Sequence, residues 1–152
     1  MKTVFIGVSV LAIAIVVAFI YLGIQSRAGS APGISAMQLQ ACTDKPNCVF
    51  SDAAADSAAY IAPLTFAKGQ EDATWVKLVD SISAEGGDIT MNAPPYLAAT
   101  FRSKLFGFVD DLECLIDQDE GVVHIRAGAR VGHSDLDVNR KRVERLREGV
   151  SH

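Results

Sequence analysis

The residues in this sequence best placed to do chemistry are acids and arginines on two neighbouring segments of alternating polarity. Residues 108–116 and 122–131 each alternate apolar with polar side chains, the period of a strand with one buried face. In the first, Leu112, Cys114 and Ile116 oppose Asp111, Glu113 and Leu115. In the second, Val123, Ile125, Ala127, Ala129 and Val131 oppose His124, Arg126, Gly128 and Arg130. The turn formers Asp117-Gln118-Asp119-Glu120-Gly121 lie between them, so a hairpin is predicted. Both apolar sets must face one side of the sheet, because a slip of one residue would turn every side chain over. The tightest register pairs Ile116 with Val123, Cys114 with Ile125 and Leu112 with Ala127. It sets Glu113 opposite Arg126, and Asp111 opposite Gly128 and diagonal to both arginines.

Paired guanidinium groups grip a carboxylate or phosphate through parallel hydrogen bonds, so Arg126 and Arg130 could hold a small anion or a lipid headgroup. Asp111 and Glu113 could instead form a general acid/base pair, with Arg126 polarising the substrate of a hydrolase or isomerase. Adjacent arginines favour ionised carboxylates, which makes proton donation harder. The plain alternative is a salt-bridge network on an exposed sheet face, where each pair contributes little. His124 falls at the margin of the cluster. Asp110 falls on the apolar side and needs a partner there or must turn out of the core. Arg140, on a helix beyond the hairpin, either completes the cluster or lies in solvent.

Other chemistry is poorly supported. No Gly-x-Ser-x-Gly elbow, phosphate-binding loop, His-Glu-x-x-His or dinucleotide fingerprint occurs. Ser103 has no histidine or lysine evidently able to deprotonate it and reads as a turn hydroxyl. The chain is therefore read as a non-enzymatic domain, with no cofactor. Cys42 and Cys48 flank Thr-Asp-Lys-Pro-Asn, whose Pro46 and Asn47 favour a turn, so a short disulfide loop is expected in an oxidising compartment. No second Cys or His pair stands at ligand spacing, so no metal site is expected. Cys114 reads as a buried core thiol. A net charge of −4 without a dominant basic stripe argues against nucleic-acid binding.

The elements that must position these residues begin with an anchor. From Val4 to Ile24 the chain carries no charge, and about 20 apolar residues suffice for a helix to cross a bilayer. A cleaved signal sequence has a shorter apolar core, of about 7–15 residues, which favours an uncleaved anchor. Residues 1–25 are read as the transmembrane anchor, 26–40 as a flexible linker rich in Gly, Ser, Ala and Pro, and 41–152 as one domain. Lys2 and Arg27 nearly balance across the anchor. The cysteine pair decides the direction, placing the domain on the periplasmic side of a bacterial inner membrane.

Within the domain, residues 60–66 suggest a short edge strand, limited by Pro63. Residues 72–84 form the clearest helix: Trp75, Leu78, Val79 and Ile82 make one apolar stripe, with Asp72 or Thr74 as cap and Gly86-Gly87 as stop. Residues 96–102 alternate, with Leu97, Ala99 and Phe101 on one face. Residues 136–149 form a basic helix with Leu136, Asn139, Val143, Leu146 and Val150 on one side, and Ser134 with Asp137 in a capping arrangement. Its arginines could meet anionic headgroups. The fold class expected is α+β: an antiparallel sheet with two helices packed on one face, after a single N-terminal transmembrane helix.

Three blocks, Cys-Thr-Asp-Lys-Pro-Asn-Cys at 42–48, residues 101–113 from Phe101 to Glu113, and residues 125–147, closely resemble the bacterial and plastid family called domain of unknown function 1499. The resemblance covers residues 41–146 and brings a domain extent without an assigned reaction. Its pattern maps onto Cys42, Asp44, Pro46, Asn47 and Cys48, then Ser103, Phe108, Asp110, Asp111 and Glu113, then Arg126, Arg130, Gly132, Asp135, Asn139 and Arg140. The candidate binding cluster is therefore Asp110, Asp111, Glu113, Arg126, Arg130, Asn139 and Arg140. Departures are Ala127-Gly128-Ala129 where the family tends to carry two serines, His133 where an aromatic is usual, and Asp137 where Gly is common. The missing hydroxyls exclude a serine nucleophile there. The partners expected are the membrane, through the N-terminal helix, and a small anion, lipid headgroup or protein.

Overall fold

The computed structural model describes residues 2–151, the side chains of Lys2, Thr3 and Ser151 apart. Met1 and His152, the outer limits of the predicted anchor and domain, lie outside the described residues. Helix α1 (Lys2–Ala28) contains the whole apolar segment, and its span Val4–Ala28, with a mean hydropathy of 2.8, is long and apolar enough to cross a membrane.

Residues 29–40 are not a bare tether. They run along the sheet and form a ribbon of β1 (Ile34–Ser35) and β2 (Gln38–Leu39), turned by Ala36 and Met37 at φ 51° and 60°. Two successive left-handed residues make the tight turn that suits a twisted hairpin. Ala-Met is not the residue pair that announces such a turn, which is why the composition read as linker. Leu39 is buried against Phe50 and Leu115.

The domain then follows as β3 (Cys48–Phe50), β4 (Leu64–Thr65), α2 (Glu71–Ala84), β5 (Asp88–Ala93), β6 (Tyr96–Arg102), β7 (Val109–Asp117), β8 (Val122–Ala129) and α3 (Val138–Ser151). The sheet is antiparallel in the order β3-β8-β7-β6-β5, with β4 also paired to β8. Pro63 stands just before β4, at the sheet edge, where its missing donor is harmless. The β7–β8 hairpin adopts the register that the alternation requires, with Glu113 opposite Arg126, Cys114 opposite Ile125 and Leu112 opposite Ala127.

One face of the sheet presents Leu97, Ala99, Phe101, Leu112, Cys114, Ile116, Val123, Ile125 and Ala127. Both helices cover it, α2 through Leu78 and Ile82, α3 through Val143, Leu146 and Val150. The fold is thus α+β. Trp75 packs at the rim of this core and donates its indole N–H to Asn92 Oδ1 at 2.9 Å. Gly86, at φ 81°, turns the chain after α2, and a Cβ on Gly87 would lie 2.7 Å from the side chains of Ile82 and Phe101.

Two helix starts differ from the sequence expectation. Helix α2 begins after Gln70, which makes no side-chain cap, and Thr74 is buried within the helix. Leu136 and Asp137 take left-handed φ of 56° and 63°, which delays α3 to Val138 and leaves Leu136 80% exposed instead of on the inner face. The cap is Asp135, whose Oδ2 accepts from Asn139 N at 2.8 Å. Ser134 bonds only Leu136 N, at 3.3 Å, so the expected Ser134–Asp137 arrangement does not form.

Candidate functional site

The face of the sheet away from α2 and α3 carries the acids and arginines. Asp111 and Glu113 stand on β7, Arg126 on β8 and Arg130 just past its end. An exposed face was the plain expectation, yet Asp111 is 3% and Glu113 0% exposed. The cover is the chain that follows α1: Gly33 N–H donates to Glu113 Oε1 at 2.7 Å, beneath the ribbon of β1 and β2. Glu113 also accepts from Tyr96 O–H at 2.7 Å and Arg126 Nη1 at 3.2 Å. Burial and the Glu113 carboxylate together push the Tyr96 hydroxyl far above the usual tyrosine range.

Arg130 grips Asp111 with both arms of its guanidinium, Nε to Oδ2 at 2.8 Å and Nη2 to Oδ1 at 2.7 Å. Its remaining arm, Nη1, donates to Ser26 O at 3.3 Å and to Gly29 O. Those carbonyls belong to the end of α1, where the last carbonyls have no partner within the helix and the dipole is negative. Arg130 therefore caps α1 while its charge is balanced by Asp111. The hydrogen bonds to Asp111 hold the guanidinium above its ordinary range, against its own partial burial.

The remaining members of the predicted cluster are elsewhere. Asp110 points to the helix side, as alternation demands, and Arg142 from α3 meets it there at 3.0 Å. Burial pushes the Asp110 carboxyl up, and Arg142 only partly opposes it. Asn139 is buried on the same side between Asp135 and Arg142, accepting from the Arg142 guanidinium. Arg140 neither completes the cluster nor lies free. It donates to Tyr60 O at 2.8 Å and Ala58 O at 2.7 Å, tying that loop to α3. The sheet itself thus separates the seven residues. His124 pairs with Asp52 at 2.5 Å, apart from the arginines.

The basic helix is not a free cationic face. Arg142 meets Asp110, Arg145 meets Glu85 at 2.6 Å and Arg147 meets Glu144 at 2.9 Å. Arg147 also donates to the carbonyls of Ala62 and Pro63.

Cys42 and Cys48 are joined, with Sγ–Sγ 2.00 Å. The loop they close rests on the end of β8: Asn47 O accepts from Ala129 N at 2.9 Å, and Asn47 Nδ2 donates to Gly132 O at 3.1 Å. A Cβ on Gly128 would approach Cys48 Sγ at 2.9 Å, so the disulfide lies directly on β8. Clefts open on two sides of this loop. The larger, about 380 Å³, has Asp44, Asp135, Asp137 and Arg140 in its lining. The other, about 270 Å³, is bounded by Gly29, Ser30 and Pro32 on one side and by Lys45, Asn47, Arg126 and Arg130 on the other.

In that second cleft one guanidinium is incompletely satisfied. Arg126 Nε is buried and has no hydrogen-bond partner, while Nη1 reaches Glu113. Lys45 is exposed and pairs with no carboxylate among the described residues. Sequence reasoning missed Lys45, Asn47 and the residues just after α1 as neighbours of Arg126. Asn47 lies in the quoted cysteine block, but nothing in the spacing of Gly29 or Ser30 points to the sheet. Glu113, by contrast, is closed off by three donors, while Asp111, held by both arms of Arg130, also lines the second cleft.

The family model described as "Protein of unknown function (DUF1499)" matches residues 38–150, well over half of the chain. The chain belongs to that family. A comparison with curated proteins finds no match.

Proposed function

We propose that this member of the DUF1499 family is a membrane-anchored envelope domain that binds a small anionic group without transforming it. The site is the cleft between the disulfide loop, the juxtamembrane chain and β8. The observation that carries this reading is Arg126, which lines the cleft and keeps a buried N–H without a partner. A buried unpaired donor costs free energy, about 1–3 kcal/mol and more on a charged group, and an anion accepting from it would recover that loss. Lys45 adds a second cation at the rim, and Arg130 balances Asp111, so the lining is net positive.

The chemistry recognised is a phosphate or carboxylate oxygen. A phospholipid headgroup and a soluble phosphate share it, and the cleft borders Gly29 and Ser30, directly after the anchor helix. The domain sits on the oxidising side of a bacterial inner membrane, a placement supported by the Cys42–Cys48 bridge. In this reading residues 1–25 hold it there, and residues 41–152 together with the covering residues 29–40 form the binding domain.

The test uses the full chain in detergent micelles, titrated with inorganic phosphate, with glycerol phosphate and with micelles containing phosphatidylglycerol, followed by calorimetry. Binding is expected in at least one arm and is expected to fall tenfold or more in Arg126→Gln, with Lys45→Gln weakening it less. Response to phosphatidylglycerol alone would identify a headgroup; response to inorganic phosphate would identify a soluble anion. No heat in any arm at millimolar concentration would sink the reading.

A further inference from the structure

The end of the anchor helix is fastened to one loop of the domain, the β6–β7 connection at residues 103–108. Ser26 is buried, accepts from Val109 N at 2.7 Å and donates back to Val109 O at 3.2 Å. Arg27 reaches Phe106 O at 3.2 Å and Gly107 O at 3.4 Å. A Cβ on Gly23 would lie 2.1 Å from Phe106 O, so the loop touches the helix backbone where only glycine fits. One turn deeper, Phe19 stacks on Phe106 with ring centroids 5.1 Å apart and meets Phe108 edge-on at 6.1 Å.

Depth follows from these contacts. If the apolar stretch ending near Ile24 fills the hydrocarbon layer, Phe19 lies roughly 7 Å inside its edge, at about 1.5 Å per residue. A side chain stacked on Phe19 must come to a similar depth. We infer that residues 103–108 are a second membrane contact, with Leu105 and Phe106 dipping into the outer edge of the bilayer beside α1. This rests on the anchored reading above and extends it to the domain itself.

The loop has the composition for that place, and its two ends are hydrogen-bonded to each other. Leu105 is 81% exposed. Arg102 and Lys104 flank it, long cations that reach back to phosphates while their stems stay in the apolar layer. Backbone polar groups are tolerated near lipid only when satisfied. Here Ser103 N bonds Phe108 O at 2.8 Å, Gly107 N bonds Ser103 O at 3.1 Å, and Phe108 N bonds Ser103 Oγ at 2.9 Å. Phe106 O, the carbonyl nearest the helix, takes its hydrogen bond from Arg27. The occupant of this surface is therefore lipid, since the apolar tip continues the side of a helix that lipid already surrounds.

Trp75 is the chain's single tryptophan and belongs to the opposite end of the sheet, bonded to Asn92 of β5, so fluorescence can report the loop alone. The full chain carrying Trp75→Phe and Leu105→Trp is placed in phosphatidylcholine vesicles with phosphatidylglycerol, with and without bromine on the acyl chains. Bromine is expected to quench the new tryptophan at least twofold, with a blue-shifted emission, and to leave Trp75 of the unaltered chain unquenched. Flotation of the same vesicles separates the two layers of the argument. A chain that floats with an unquenched, water-like tryptophan overturns the loop contact and leaves the anchor standing. A chain that does not float overturns both. If the double variant does not fold, Leu105→Cys labelled with an environment-sensitive dye, Trp75 retained, reads the same depth. A water-like dye signal in floated vesicles counts against the proposal, and so does a blue-shifted one that bromine on the acyl chains leaves unquenched, the result of two chains pairing through the loop.

Discussion

Replacing Arg130 with methionine tests whether the ion-paired face fastens the anchor to the domain. The substitution removes the partner of Asp111, whose side chain is 4% exposed against 13% for Arg130. Removing one member of a buried pair strands the other charge in a medium that hydrates it poorly, a loss of about 3–5 kcal/mol. It also uncaps the carbonyls of Ser26 and Gly29 at the end of α1. In urea, with a slope of about 1–3 kcal/mol per molar for a domain this size, the midpoint should fall by roughly 2 M. Trp75 fluorescence follows the transition in micelles, because that ring packs against the main core. The companion variant, Asp111→Leu with Arg130→Met, should recover most of the loss, since two apolar groups leave no stranded charge. Trypsin gives an independent readout: Arg27 is held by the carbonyls of Phe106 and Gly107, and release of the helix end should speed cleavage there. A loss below about 1 kcal/mol, the range of exposed pairs, with unchanged cleavage at Arg27, would refute the clamp.

Two further outcomes follow from the buried groups around it. Tyr96 has its hydroxyl pushed far above the ordinary tyrosine value by burial and by Glu113. Because the folded value is raised, stability is complete below the unfolded value of about 10 and is lost as the pH climbs above it. Absorbance titration at alkaline pH should show Tyr96→Phe with the same amplitude as the parent chain until unfolding; an extra tyrosine ionising in the folded parent contradicts the assignment. The chain has three cysteines, of which Cys114 is free and buried, its thiol pushed up by burial and by the nearby Glu113 charge. A thiol reagent should find none in the native oxidised protein, one after unfolding without reductant and three after reduction. Early labelling of two thiols in protein isolated from cells would count against an oxidising compartment.

The β-hairpin was legible because its two periods admit few registers, and the structure has Glu113 opposite Arg126 as that argument requires. Alternation likewise gave the core face and the side on which Asp110 falls. What it could not give was the cover over the other face. Gly33, Ser26 and Gly29 act there through backbone atoms or a single hydroxyl, and no side-chain pattern marks a backbone donor. Arg142 was hidden for a different reason: its charge reads as helix surface, yet its guanidinium lies over the Phe101 ring at 4.1 Å and reaches Asp110. Arg140 looked like a cluster member because charge was counted without direction along the helix.

The buried acids make physical sense once the anchor is counted as part of the domain. A helix end leaves its last carbonyls unpaired and its dipole negative. Arg130 answers that end, Asp111 answers Arg130, and Glu113 seats the following chain through Gly33 while pairing with Arg126. Charges in this row are therefore aligned along the path of the chain that follows α1, beside the second cleft. Arg126 is the exception, since one of its donors has no acceptor in the row. An anion taken up there would sit against both the disulfide loop and the residues that follow the anchor, so binding would report directly on how the domain is held at the membrane. Arg126→Gln should for that reason leave cleavage at Arg27 unchanged in the absence of anion, while abolishing any protection that phosphate or phosphatidylglycerol gives; protection that survives the substitution would place the anion elsewhere.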